Sequence, residues 1–191
     1  TIKSEKTIEL MAQSGCRYIS ISPESGSQRV MELINKPFNY QHAVKLIGKM
    51  SKVNIFTQAC FVLGFPGEKE EDRKLTRKMV YDLAKAGVSE IALFIITPVP
   101  GSSILKEFSG YTDYSQLNFS PTWRKDYNDL NQFRLKLYAQ FLFWKLRFHP
   151  ISILKQPFNF LIRKFNTKME MTPYRAIHTI LMLIGIVGKR I

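Results

Sequence analysis

Three apolar runs, over residues 17–22, 54–63 and 90–97, each break at a loop rich in Pro, Gly or Ser, and stretches of helical period separate them. This alternation limits the fold more than any other property of the chain. Residues 4–14 place Ile8, Leu10 and Met11 at helical spacing ahead of Gly15, which suits a helix C′ position. Residues 28–34, 40–50 and about 68–86 repeat the helical period. The last of these opens on Glu68, Glu70, Glu71 and Asp72, where acidic groups meet the positive end of a helix dipole. Lys36-Pro37 and Gly87 act as stops. Pro23 argues against the first run continuing as a central ladder. Residues 90–97 are almost continuously apolar, as expected of a parallel strand covered on both faces.

Helices and strands alternating at these lengths form a βα repeat, so roughly the first 110 residues read as an α/β domain with a parallel sheet. Right-handed crossovers then bring all three strand C-terminal ends to one edge. The loops at 23–27, 64–68 and 97–102 converge there, at the edge where α/β folds bind ligands. Gly26, Gly64, Gly67 and Gly101 permit close backbone approach, and Pro23, Pro66, Pro98 and Pro100 stiffen the chain between them. Such loops present backbone N–H and C=O groups to a flat polar ligand. The plainer alternative is that they only punctuate the strands.

Residues 110–129 are turn-rich and aromatic and read as a linker or lid, and residues 130–148 form a strong helix that His149-Pro150 ends. The charge is concentrated in the C-terminal third of the chain. Residues 1–124 carry 16 Lys/Arg against 12 Asp/Glu, whereas residues 125–191 carry 12 against 3, a net +9 within the total of +13. This basic extension over 130–191 suits nucleic acid, anionic lipid or an acidic partner, and net charge does not choose among them. Cys16 and Cys60, 44 positions apart in apolar surroundings, read as small buried hydrophobes in a reducing, cytoplasmic setting. His42, His149 and His178 are scattered without zinc-ligand spacing. The first ten residues contain neither an initiator Met nor a signal-peptide run, so the chain reads as a piece of something longer.

Five motifs in order carry a resemblance: Gly15-Cys16; Ile19-Ser20-Ile21-Ser22-Pro23-Glu24-Ser25-Gly26-Ser27; Lys36-Pro37; Gly64-Phe65-Pro66-Gly67-Glu68; and Thr97-Pro98-Val99-Pro100-Gly101-Ser102. At this spacing, over about residues 5–108, the chain resembles radical S-adenosylmethionine (SAM) proteins, in particular the branch that often carries an upstream cobalamin-binding domain. The resemblance implies that residues 1–109 are the C-terminal half, the last three strands, of a partial (β/α)6 TIM-like barrel. It also implies a cofactor-binding role for nine residues. Glu24, Ser25 and Gly26 would meet the ribose or methionine part of SAM, Val62, Leu63 and Gly64 the adenine, and Thr97, Pro98 and Gly101 the far side of the pocket.

The implied cofactors are SAM and a 4Fe-4S cluster, with cobalamin a further option. Relatives hold the cluster through CxxxCxxC, and Cys16 and Cys60 do not supply that motif, so the metal ligands are expected in a missing N-terminal half and the isolated piece is expected to be inactive. The implied reaction of the whole enzyme is reductive SAM cleavage or methyl transfer on a small-molecule or lipid-like substrate. Two other readings stand beside it: a non-radical enzyme on a related α/β barrel, and a basic module binding RNA or another polyanion. Nucleic acid is disfavoured as a partner, because the extension lacks a glycine-rich RNA-binding loop or a dense Lys/Arg run. Residues 176–188 form a 13-residue apolar stretch flanked by Lys189-Arg190, too short to span a bilayer, which suggests either core packing or peripheral membrane contact through 170–191.

Overall fold

The hydrophobic periods translate into elements close to those expected. The structure, a computed structural model, describes Ile2 and residues 4–183. In chain order it contains α1 (Glu5–Gln13), β1 (Tyr18–Glu24), α2 (Gln28–Leu33), α3 (Tyr40–Lys52), β2 (Phe56–Leu63), α4 (Glu70–Ala86), β3 (Glu90–Ile95), α5 (Tyr127–Phe148), α6 (Pro150–Leu161) and α7 (Lys168–Leu183). Caps set several ends. Ser4, Ser27 and Asn39 accept from the first turns of α1, α2 and α3, and Gly87, at φ +102, closes α4. At the break after α5, Pro150 begins α6 at a position where a missing N–H costs nothing.

The three strands pair in parallel in the order β1-β2-β3, with Ala59 opposite Ile21 on one side and Ile91 on the other. All strand C-terminal ends therefore share one edge. The barrel implied by the resemblance is not formed. Among the described residues β1 and β3 each pair on one side only, and three strands are too few to curl into a closed sheet. The architecture is an open three-stranded α/β sheet.

β1 runs on through Pro23 to Glu24 with a register shift between Ile21 and Glu24. An edge strand tolerates a proline there because the lost N–H has no ladder partner. One face of the sheet, with Ala59, Phe61, Ile91 and Leu93, packs against Met79, Val80 and Leu83 of α4 and Leu137 and Phe141 of α5. Each of these large side chains contributes about 2 kcal/mol by leaving water. The edge of β3 is capped from α5, where the Tyr138 hydroxyl accepts from the Leu93 N–H at 2.9 Å.

Coverage of β3 on both faces, expected from its apolar run, is corrected. Phe94 is 41% exposed, and the face that carries Ser20, Gln58, Cys60 and Phe94 has helix packed on it only at its lower end. There the buried Glu90 carboxylate accepts from Tyr18, from Gln58 Nε2 at 3.0 Å and from the Met169 N–H of α7 at 2.7 Å. No helix among the described residues is long and apolar enough to cross a membrane. Of the apolar stretch 176–188, residues 184–188 and the following Lys189-Arg190 lie outside the described residues.

Candidate functional site

The loop after β1 is bolted to α4 by hydroxyls. Ser25 is buried, its Oγ bonds Thr76 Oγ1 at 3.2 Å, and it accepts from the Ser27 N–H at 3.1 Å. The Gly26 N–H donates to Thr76 Oγ1 at 3.0 Å. A Cβ on Gly26 would meet the Leu75 carbonyl oxygen at 2.4 Å, so only glycine permits this approach. Ser27 Oγ donates to Asp72 at 2.6 Å, and Arg29 pairs with the same carboxylate. Burial pushes Asp72 up, but the bonds from Arg29, Ser27 and the Lys69 N–H outweigh it and hold the acid at about 2. Glu24, at φ 59, accepts from Lys36 Nζ at 2.5 Å, while Lys36 also donates to the Ser22 carbonyl at 3.1 Å. A non-glycine residue in the left-handed region at the tip of a strand is the kind of local strain that marks working loops.

The loop after β2 is a hub. Gly64 has φ +81, its N–H donates to Glu68 Oε2 at 2.6 Å, and its carbonyl accepts from Arg124 Nη2 at 2.9 Å. Arg124 also donates to the Ile96 carbonyl at 2.9 Å and pairs with Asp126 at 2.7 Å. One guanidinium thus clasps the ends of β2 and β3. Glu68 precedes α4 rather than sitting in its first turn, and its carboxylate turns back to Gly64. Burial pushes its pKa up to about 7, against the bond from Gly64 and the charges of Arg73 and Arg124. Its Oε1 is buried with no partner among the described residues.

Beside this hub lies an apolar cavity of about 360 Å³ lined by Val62, Phe94, Thr97, Pro98, Leu117 and Phe119. Thr97 Oγ1 donates to the Asn118 carbonyl at 2.8 Å, tying the β3 loop to residues 117–119. The nine residues singled out from the sequence therefore fall into groups. Val62, Thr97 and Pro98 share the cavity, Gly64 holds the hub, and Glu24, Ser25 and Gly26 form the β1 loop. Leu63 is buried behind them with Ile95 and Leu130, and Gly101 (φ +87) sits on an open turn where an added Cβ would meet nothing within 4 Å.

Sequence reasoning missed Arg124, Thr76 and Phe119. Arg124 bonds a residue 60 positions away, and no local pattern marks it. Thr76 is a small polar residue among the inward apolar positions of α4, which was a legible signal. Among the described residues no group of three or more His, Cys, Asp or Glu is placed to hold a metal ion, so these residues do not fit an iron-sulfur cluster. Cys16 and Cys60 are free thiols, each partly buried.

Residues 1–80 match the family model described as Radical SAM superfamily. The chain is 31% identical over 131 residues to cytidylyl-2-hydroxyethylphosphonate methyltransferase of Streptomyces wedmorensis, covering 63% of this chain and 24% of that protein. It is 31% identical over 109 residues to tRNA-2-methylthio-N(6)-dimethylallyladenosine synthase of Thermus thermophilus, covering 55% and 23%. It is 37% identical over 73 residues to ribosomal protein uS12 methylthiotransferase RimO of Pelotomaculum thermopropionicum, covering 36% and 16%. The chain thus spans about a quarter or less of the length of these relatives. Kinship to proteins named for tRNA overturns the reading that disfavoured nucleic acid as a partner, because a missing RNA-binding loop in one segment says nothing of how a longer enzyme holds its substrate.

Proposed function

We propose, from the premise that residues 1–80 are a radical SAM superfamily segment, that this chain supplies the sheet edge on which the organic part of SAM rests in a larger enzyme. The observation that supports this is the convergence of the three strand-end loops on one edge, with an apolar cavity at the ends of β2 and β3 and, on the other side of β2, the β1 loop whose Glu24 carboxylate pairs with Lys36. Glu24 is placed to accept hydrogen bonds from hydroxyl or ammonium groups when Lys36 gives way. Val62, Thr97 and Pro98 offer a flat apolar wall suited to a purine, and the clasp of Arg124 on Gly64 and Ile96 keeps that wall in place. Residues 1–109 act here as the α/β unit, residues 110–129 as the segment that joins and walls the cavity, and residues 130–191 as a helical extension.

The cluster that reduces SAM belongs, in this reading, to the remainder of the enzyme, and the reaction is SAM cleavage to a 5′-deoxyadenosyl radical or methyl transfer. The methyltransferase among the relatives favours the second, and cobalamin use rests on the resemblance alone. The test is made on the whole enzyme with its cluster reconstituted. Glu24→Gln should raise the KM for SAM at least fivefold in an assay of 5′-deoxyadenosine or methylated product, and an unchanged KM sinks the assignment of Glu24. A coding sequence that lacks CxxxCxxC ahead of Thr1 sinks the radical reading altogether. The 191-residue chain alone should bind SAM weakly, and sub-micromolar affinity by calorimetry would overturn the view that the cluster ligands lie elsewhere.

A second reading concerns the substrate. The tRNA in the names of three relatives, together with the net +9 of residues 125–191, supports a nucleic-acid substrate for the whole enzyme. Filter binding of tRNA at low and moderate salt checks it. Loss of affinity with rising salt supports the reading, and no binding at either salt removes it.

A further inference from the structure

A second cleft, about 510 Å³, opens at the opposite edge of the sheet, under the strand N-terminal ends. Phe56, Val88, Lys145, His149, Asn159 and Glu170 line it. Lys145 is 4% exposed, and its Nζ donates to the Ser89 carbonyl and lies 5.9 Å from the Phe141 ring centre. An ammonium has three N–H donors, and a buried one is costly unless anions or several acceptors meet it. Among the described residues no carboxylate forms an ion pair with Lys145.

The two nearby acids are already committed. Glu170 accepts from the Asn166 N–H at 2.7 Å, the Thr167 N–H at 3.3 Å and Asn159 Nδ2 at 3.3 Å. Glu90 is taken by Tyr18, Gln58 and the Met169 N–H. His149 Nε2 is engaged with the Lys85 carbonyl at 3.2 Å, and Lys155 adds a second cation at the rim. The cleft therefore carries a buried cation on its wall, and the carboxylate that shares its lining, Glu170, already has its oxygens taken by Asn159, Asn166 and Thr167.

We propose that this cleft binds the phosphate or carboxylate group of a small ligand, held by the Lys145 ammonium. Burial pushes the Lys145 pKa down to about 8, opposed by the charges of Glu170 and Glu90, so the amine is mostly protonated near neutral pH and becomes a poorer anchor as pH rises. The site is separate from the strand C-terminal edge, so it stands or falls independently of the SAM reading.

Sulfate, inorganic phosphate and acetate are titrated against the 191-residue chain while the thermal unfolding midpoint is followed. Sulfate keeps its charge across the range used. Its affinity should fall at least fivefold between about pH 7 and about pH 9.5, and Lys145→Met, which keeps the aliphatic stem, should abolish the saturable shift. Lys155→Gln at the rim should weaken it about twofold. A midpoint shift of equal size in Lys145→Met, or a sulfate affinity flat across that pH range, overturns the proposal. If the Lys145 variant does not fold, the pH series on the unaltered chain decides. Absence of a saturable shift with all three anions also overturns it. Tighter phosphate points to a phosphoryl ligand and tighter acetate to a carboxylate ligand, and either result supports the site.

Discussion

Single residues at the C-terminal edge carry constraints of two kinds, steric and conformational, and glycines separate them. Gly26 lies against the Leu75 carbonyl, whereas Gly101 adopts φ +87 with open space around it. Gly26→Ala forces backbone apart and should cost about 3 kcal/mol, while Gly101→Ala meets only left-handed strain and should cost about 1 kcal/mol. Urea unfolding of the two variants side by side measures the difference, and equal losses would show that the β1 loop gives way easily. Asp72 is a third case. It gathers Ser27, Arg29 and the Lys69 N–H, so Asp72→Ala should cost about 2–3 kcal/mol and unfasten the β1 loop from α4, read as faster amide exchange at Gly26 and Ser27.

Elements show how far a local reading reaches. α1 to α4 and the three strands follow from period and punctuation, because caps, stops and apolar spacing are properties of neighbours in sequence. Val62, Thr97 and Pro98 meet in one cavity because parallel strands put their ends together, which the βα repeat already dictated. What could not be read is set by distant pairing. The partial exposure of Phe94 depends on what lies over its face, and the clasp of Arg124 depends on where residues 110–129 settle. That the Ser25 hydroxyl is buried and bonded to Thr76 and to the Ser27 N–H likewise depends on how α4 packs beneath the loop. Arg124→Met tests the clasp. It removes charge-assisted bonds to two carbonyls and should cost about 2–3 kcal/mol, with new protease cleavage between residues 97 and 126. Unchanged protection of that segment would mean the Phe108, Tyr111 and Trp123 ring contacts hold it unaided.

At the scale of the whole molecule, two buried groups shape the pH profile of stability between about pH 4.5 and 10.5. Glu68 is raised from 4.5 to about 7, so the folded chain keeps a proton that the unfolded chain has lost, and this contribution to stability declines as pH rises from about 4.5 through 7. Lys145 is lowered from 10.5 to about 8, so the unfolded chain holds the extra proton above that point, and stability recovers between about pH 8 and 10.5. Together they put a shallow minimum between about pH 7 and 8. Denaturant melts across pH should show it. Glu68→Gln should flatten the acid limb alone and Lys145→Met the alkaline limb alone, and a profile unchanged by either variant would refute the assignment.

The hydroxyl that Tyr138 places on Leu93 also gives the sheet a direction of growth. Any strand arriving beside β3 must displace that side chain and the α5 turn that carries it, whereas on the outer rim of β1 the strand carbonyls of Ser22 and Tyr18 are met, among the described residues, only by the flexible ends of Lys36, at 3.1 Å, and Cys16, at 4.0 Å. A further strand would therefore meet the lighter obstruction beside Tyr18–Glu24, on the side away from α5.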